Sequence, residues 1–137
     1  MFKNAQSFNR PLDSWNISKV FNLTMMFENA RSFNHSLNSW NISNVRYISG
    51  MFKNAISFNQ PLDLWDISKI IDMSEMFENA QSFNCSLNSW DTSNLMYTSA
   101  MFKNVEYFNH PLDSWNTSNI ILMDDMFSHA KNFNQSL

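Results

Sequence analysis

MFKNAQSFN occupies residues 1–9, MFENARSFN residues 26–34, MFKNAISFN residues 51–59, MFENAQSFN residues 76–84 and MFKNVEYFN residues 101–109. The same phrase returns every 25 residues without a gap, and self-similarity at a period of 20 to 50 residues marks a stacked or radial repeat architecture. The 137 residues divide into blocks 1–25, 26–50, 51–75, 76–100 and 101–125 and a partial block 126–137, read as a single repeat domain, 1–137. Within a block the fixed places are Met, Phe, Asn, Ala, Phe, Asn, Leu, Trp, Ile or Thr, Ser and an aliphatic residue, the last being Val20, Val45, Ile70, Leu95 and Ile120. One block alone cannot bury enough apolar surface to offset the entropy of ordering it. Stacking identical blocks sets Phe on Phe and Trp on Trp, so the fixed places are the spine of a stack held by nearest-neighbour contacts.

In residues 26–34, Met26, Phe27, Ala30 and Phe33 fall at i, i+1, i+4 and i+7, the pattern of one helical face. Asn34 and its equivalents Asn9, Asn59, Asn84, Asn109 and Asn134 follow, and asparagine is well suited to the left-handed residue that closes a helix. Gly50 is the chain's one glycine, which leaves that task to asparagine. Pro11, Pro61 and Pro111 stand two residues on, where a helix cannot resume. Leu12, Trp15 and Ile17 then read as a short parallel strand, and Ser18, Ser43, Ser68, Ser93 and Ser118 as helix N-caps. The expectation is an α/β solenoid of strand, turn and helix in each repeat, five and a half copies long.

Blocks alternate between two versions. The third place reads Lys3, Glu28, Lys53, Glu78, Lys103, and the thirteenth place alternates Asp and Asn in Asp13, Asn38, Asp63, Asn88, Asp113. This is either register control, since a one-block slip would bring like charges together, or the relic of a 50-residue duplication. Exposed ion pairs are worth only about 0–1 kcal/mol, so the gain would be in specificity.

The strings FNQPLDLW (residues 58–65) and WDTSN (residues 90–94), with the MFxNAxSFN openings, resemble the BspA-like leucine-rich-repeat surface proteins, whose short repeat is also found in mycoplasma surface lipoproteins. The resemblance runs the length of the chain. It implies a right-handed leucine-rich-repeat-like stack, used at a cell surface or in a secreted protein for adhesion or for binding a protein or glycan. The Thr-Asp-Met ending of that family's repeat is not kept: Phe21-Asn22, Arg46-Tyr47, Ile71-Asp72, Met96-Tyr97 and Ile121-Leu122 stand there.

Composition limits the function classes. A formal charge of −3 with nine scattered basic residues offers no cationic stripe to a phosphate backbone, so no nucleic acid is expected as a partner. No run of 18 apolar residues spans a membrane, and no charged-then-apolar leader opens the chain. His35, Cys85 and His110 share the tenth place; a pair of ligands does not close a zinc site, and a Cys–His nucleophile needs a third orienting group. No enzyme, no metal and no cofactor is expected. One glycine excludes a Gly-rich phosphate loop.

Two groups remain as candidate sites. Asp66 and Asp91 stand one block apart in the polar column Asn16, Asn41, Asp66, Asp91, Asn116, where like charges would be compensated either by a cation such as Ca²⁺, with Asp63 nearby, or by solvent. Arg46, Tyr47 and Tyr97 are of the types enriched in interface hot spots; the alternative is that one of their two places points into the core at every block. The sequons at Asn16, Asn41 and Asn116 are read as coincidences of the repeat. Since Met1 starts a regular block and Leu137 stops within one, both ends are expected to expose core. Such a chain belongs to a longer array or stacks end to end, and this gives a second function class, a structural spacer.

Overall fold

The computed structural model describes residues 1–137, and the chain in it returns beside itself every 25 residues. Between Phe27 and Met51, the N–H groups of Ala30, Phe33, Trp40, Val45 and Met51 donate to the carbonyls three residues back, on Phe27, Ala30, Leu37, Ile42 and Ile48, at 2.8–3.1 Å. Each block is thus a string of β-turns whose first and last residues point inward. No residue is helical, and only Asn22, Tyr47, Asp72, Tyr97 and Leu122 join in β pairing, each as an isolated parallel bridge to its equivalent in the next block. The expected α/β strand-turn-helix solenoid of leucine-rich-repeat type is therefore incorrect.

The physical reason lies at the fourth place. Asn4, Asn29, Asn54, Asn79 and Asn104 have φ between 58° and 64°, and His129 takes the same conformation at 59°. A left-handed residue between Phe27 and Ala30 ends any right-handed helix before its first i→i+4 bond. Apolar residues three apart serve a helix and a chain of turns equally, so spacing alone did not separate them. The twenty-fifth place is left-handed too, at Met25, Gly50, Glu75, Ala100 and Asp125, with φ of 55–59°.

These two positions divide the backbone bonding. The N–H groups of Leu23, Met25, Phe27 and Asn29 donate to Tyr47, Ser49, Met51 and Lys53 of the next block at 2.8–2.9 Å, while those of Met26, Glu28 and Ala30, between them, close local turns. Alternate amides therefore run along the stack and around it.

Contrary to the expectation, the ninth-place asparagines close no helix; they accept from their equivalents. Asn34 N–H donates to Asn9 Oδ1 at 3.0 Å, and the series continues through Asn59, Asn84, Asn109 and Asn134. The serines read as N-caps instead end Asx-turns: Ser18 and Ser43 N–H donate to Asn16 and Asn41 Oδ1, both at 3.1 Å. In place of a strand, Leu12 to Trp15 is a turn.

The core is one cluster running the length of the stack. Phe2, Phe27, Phe52, Phe77, Phe102 and Phe127 stack with centroids 5.4–5.8 Å apart. A second column, Phe8 to Phe133, runs beside it at 5.8–6.2 Å. Trp40, Trp65, Trp90 and Trp115 donate Nε1–H to the carbonyl of the leucine 28 residues back at 2.9–3.0 Å, which satisfies the indole within the core.

The alternation of block versions has a bonding counterpart. Asn38 and Asn88 donate Nδ2–H to Asp63 and Asp113 at 3.0 and 2.9 Å. Lys3 pairs with Glu28, Lys53 with Glu75 and Glu78, and Lys103 with Asp125, at 2.7–2.8 Å. Burial opposes the charge on Lys53, but its bonds to the two glutamates outweigh this and raise its pKa. Complementary partners at successive blocks favour register control over a bare relic of duplication.

Ala100 holds a left-handed conformation at the place that Gly50 fills without strain. Ala100→Gly should stabilise the chain by about 0.5–1 kcal/mol, strain relief exceeding the entropy of the new glycine. Asn79→Ala should destabilise it by about 2–3 kcal/mol, through the lost left-handed preference and two amide bonds. Chemical denaturation of both variants checks the opposite signs.

Candidate binding faces

Places 21 and 22 lie between two inward residues. Val45 and Ile48 are buried, which carries Arg46 and Tyr47 outward between them. Their backbone is fixed along the stack: Arg46 N–H donates to Phe21 O at 3.0 Å, Ile71 to Arg46, Met96 to Ile71 and Ile121 to Met96 at 2.9 Å. Tyr47 and Tyr97 each bridge to Asp72 between them, so the tyrosines sit two blocks apart on one column. At a parallel-strand spacing of about 4.8 Å their backbones are separated by roughly 10 Å. Arg46, Tyr47 and Tyr97 are all half-buried, and neither place is buried in any block. The Phe21 ring, 53% exposed, meets Tyr47 edge-on at 5.6 Å. The result is an outward stripe in which Phe21, Tyr47, Ile71, Met96, Tyr97 and Ile121 supply apolar surface and Arg46 and Asp72 supply charge.

Asp66 and Asp91 are exposed and each caps its own turn. Asp66 Oδ1 accepts from Ser68 Oγ at 2.7 Å and Ser68 N–H at 3.1 Å; Asp91 Oδ1 accepts from Ser93 N–H at 3.0 Å. Donation by Ser68 holds the Asp66 carboxyl below its ordinary range, with help from Lys69 and against the neighbouring charge of Asp91. Ser93 does the same for Asp91. Asp63 turns toward Asn38, and no group of three or more His, Cys, Asp or Glu side chains gathers in a geometry for a metal ion. Hydroxyl and amide donors thus already compensate the two like charges.

At the tenth place, Cys85 Sγ donates to Asn59 Oδ1 at 3.3 Å, and His110 Nε2 lies 3.0 Å from Asn84 O. Burial, and then the charge of Asp63, push the Cys85 thiol up, the opposite of what activates a nucleophile.

Sequence reasoning passed over a second region, a polar groove beside Glu106 and His129. Its signal was present: His129 replaces the fourth-place asparagine, and Val105-Glu106-Tyr107 replaces the Ala-x-Ser of the other complete blocks.

Residues 1–73, and again residues 60–137, match the family described as "Mycoplasma protein of unknown function, DUF285". The chain belongs to this family. Two overlapping matches cover its whole length and agree with the tandem repeat and with the mycoplasma side of the resemblance, while the BspA-like side is not among what they show. No curated protein and no solved structure matches the chain. No helix in it is long and apolar enough to cross a membrane.

Because the folded-state pKa values of Asp66 and Asp91 are depressed, their contribution is fully present above the ordinary carboxylate range and is lost as pH falls through the folded values. Asparagine caps the same turn at Asn16, Asn41 and Asn116. The double variant Asp66→Asn, Asp91→Asn should therefore melt near the parent temperature at neutral pH and lose less stability on acidification. Melting curves from neutral pH through the carboxylate range check this. Repeated with Ca²⁺, they decide the cation question, since an equal response of parent and variant excludes a site at these residues.

Proposed function

We propose that the chain is a non-catalytic repeat module of a surface protein, which mediates adhesion by binding a protein or glycan. The observation that carries this reading is the outward stripe at places 21 and 22. The stack holds its backbone rigidly, yet its side chains follow no consensus and stay out of the core. A preorganised face of Tyr, Arg and Met side chains loses little entropy on binding. The BspA-like resemblance of the repeat supports a place at the cell surface or in a secreted protein. The scattered basic residues disfavour nucleic acid, and the raised thiol disfavours Cys85 as a nucleophile.

A second reading is a spacer that stacks on further repeats; apolar cavities at the first and last blocks fit it and a longer array equally. One of about 450 Å³ is lined by Leu112, Trp115, Ile120, Met123, Met126 and Phe127 among others. The other, about 320 Å³, is lined by Met1, Trp15, Ile17, Val20, Leu23 and Met26 with polar neighbours. Light scattering across a wide concentration range separates the two readings, since mass that climbs with concentration favours the spacer.

Against immobilised matrix proteins and a glycan array, the parent should bind at least one target saturably. Arg46→Ala, Tyr47→Ala and Tyr97→Ala should each weaken that binding by about tenfold or more, with melting temperatures little changed. Unaltered binding in all three removes the stripe from the function.

A further inference from the structure

The fourth-place asparagines form a ladder in which every amide points the same way. Asn29, Asn54, Asn79 and Asn104 each donate Nδ2–H to the Oδ1 of the asparagine one block earlier, all at 2.8 Å. Such a ladder ends with one free acceptor, here Asn104 Oδ1, because His129 stands where the next asparagine would donate. His129 keeps the left-handed backbone at φ 59° and makes no hydrogen bond of its own in return. The replacement forgoes an amide bond of the ladder.

Beside it lies a groove. Asn79, Gln81, Asn104, Glu106, His129 and Lys131 line a cavity of about 310 Å³ with no apolar side chain among them. Glu106 and Lys131 take part in none of the chain's four ion pairs, so both keep their charged ends free. Tyr107, next in the chain to Glu106, is 57% exposed at a place where the four preceding blocks carry serine. Departures from the repeat at places four and seven, His129 and Tyr107, therefore fall in and beside one hollow, whose charges come from the variable sixth place.

We propose that this groove binds a neutral saccharide residue. Its acceptors, Asn104 Oδ1 and the Glu106 carboxylate, and its donors, Lys131 Nζ and the Gln81 amide, match the paired donor and acceptor character of adjacent hydroxyls. One carboxylate and one ammonium balance, which leaves the groove without the net positive charge that would draw a phosphate or sulfate. The absence of apolar lining excludes a hydrophobic ligand, and the volume is at the small end of ligand sites. The site uses different places of the repeat from the Arg46–Tyr97 stripe and does not depend on that stripe being functional.

Titration of ¹⁵N-labelled chain with the methyl glycosides of glucose, galactose, mannose and N-acetylglucosamine tests the assignment. At least one should bind saturably, at roughly millimolar affinity, with amide shifts centred on residues 104–107 and 129–131. Glu106→Gln and His129→Asn should each weaken binding by about tenfold. His129→Asn should at the same time raise the melting temperature, because it extends the ladder, so its loss of binding is not a loss of fold. Tyr47→Ala should leave binding intact. No saturable binding by any of the four sugars overturns the proposal, as does binding that survives both groove variants or is lost with Tyr47→Ala.

Discussion

Two left-handed residues in each block set the direction of every neighbouring amide. With positive φ at places 25 and 4, successive N–H groups alternate between the next block and the local turn. A right-handed helix would direct all of them along its own axis, and a flat strand would direct them sideways to both neighbours. This chain combines a narrow run of parallel pairing with a closed string of turns. Stacked Phe and Trp rings then gain a continuous core, because the alternation keeps successive blocks in register at each of the 25 places. Remove the alternation and neither the ladders nor the ring columns have a common spacing.

The abundance of asparagine follows from the same constraint. In a stack of identical places, a side chain meets its own copy above and below, so it needs both a donor and an acceptor to bond in each direction. Asparagine meets that need, as the fourth-place ladder shows. Aspartate alone does not, and at the thirteenth place it occurs in alternation with asparagine, which donates to it at Asp63 and Asp113. Where two aspartates do fall in sequence, at Asp66 and Asp91, each is occupied by its own serine. Composition that resembles a low-complexity tract is here a set of columns with distinct bonding duties.

The period, the inward residues and the alternating block versions were legible in the sequence because each is a matter of identity at a fixed offset. The turn architecture was not. Phe27, Ala30 and Phe33 lie three apart in both a helix and a string of turns, and only the backbone angle of Asn29 separates the two. Asparagine is fixed at both the fourth and ninth places, and its tolerance of positive φ applies to both; the sequence offered no ground for choosing the fourth. The other left-handed place is occupied by Met25, Gly50, Glu75, Ala100 and Asp125, a mixture in which glycine alone hints at the conformation. The stripe holding Arg46, Tyr47 and Tyr97 was visible as a variable place, but its outward direction needed the structure. The groove at His129 was a departure written in the sequence whose meaning depended on which residues the stack brings beside it.

Stacking also turns sequence position into position along an axis, so charge imbalance in the chain becomes a field in space. Residues 1–69 carry seven basic and four acidic side chains, and residues 70–137 carry two basic and eight acidic ones. Three of the nine cations, Lys3, Lys53 and Lys103, are held in ion pairs, which leaves the free positive charge on Arg10, Lys19, Arg31, Arg46, Lys69 and Lys131. Five of those six lie in the first three blocks. A partner lying along the stripe would thus meet positive potential at one end and negative at the other, over a column whose four bridged steps of about 4.8 Å together exceed a physiological screening length of about 8 Å. The two ends are then distinguishable to a charged partner, although the blocks are nearly identical. On the proposed reading, the tyrosines would set the spacing of contacts and the charge gradient would set which way round a partner lies.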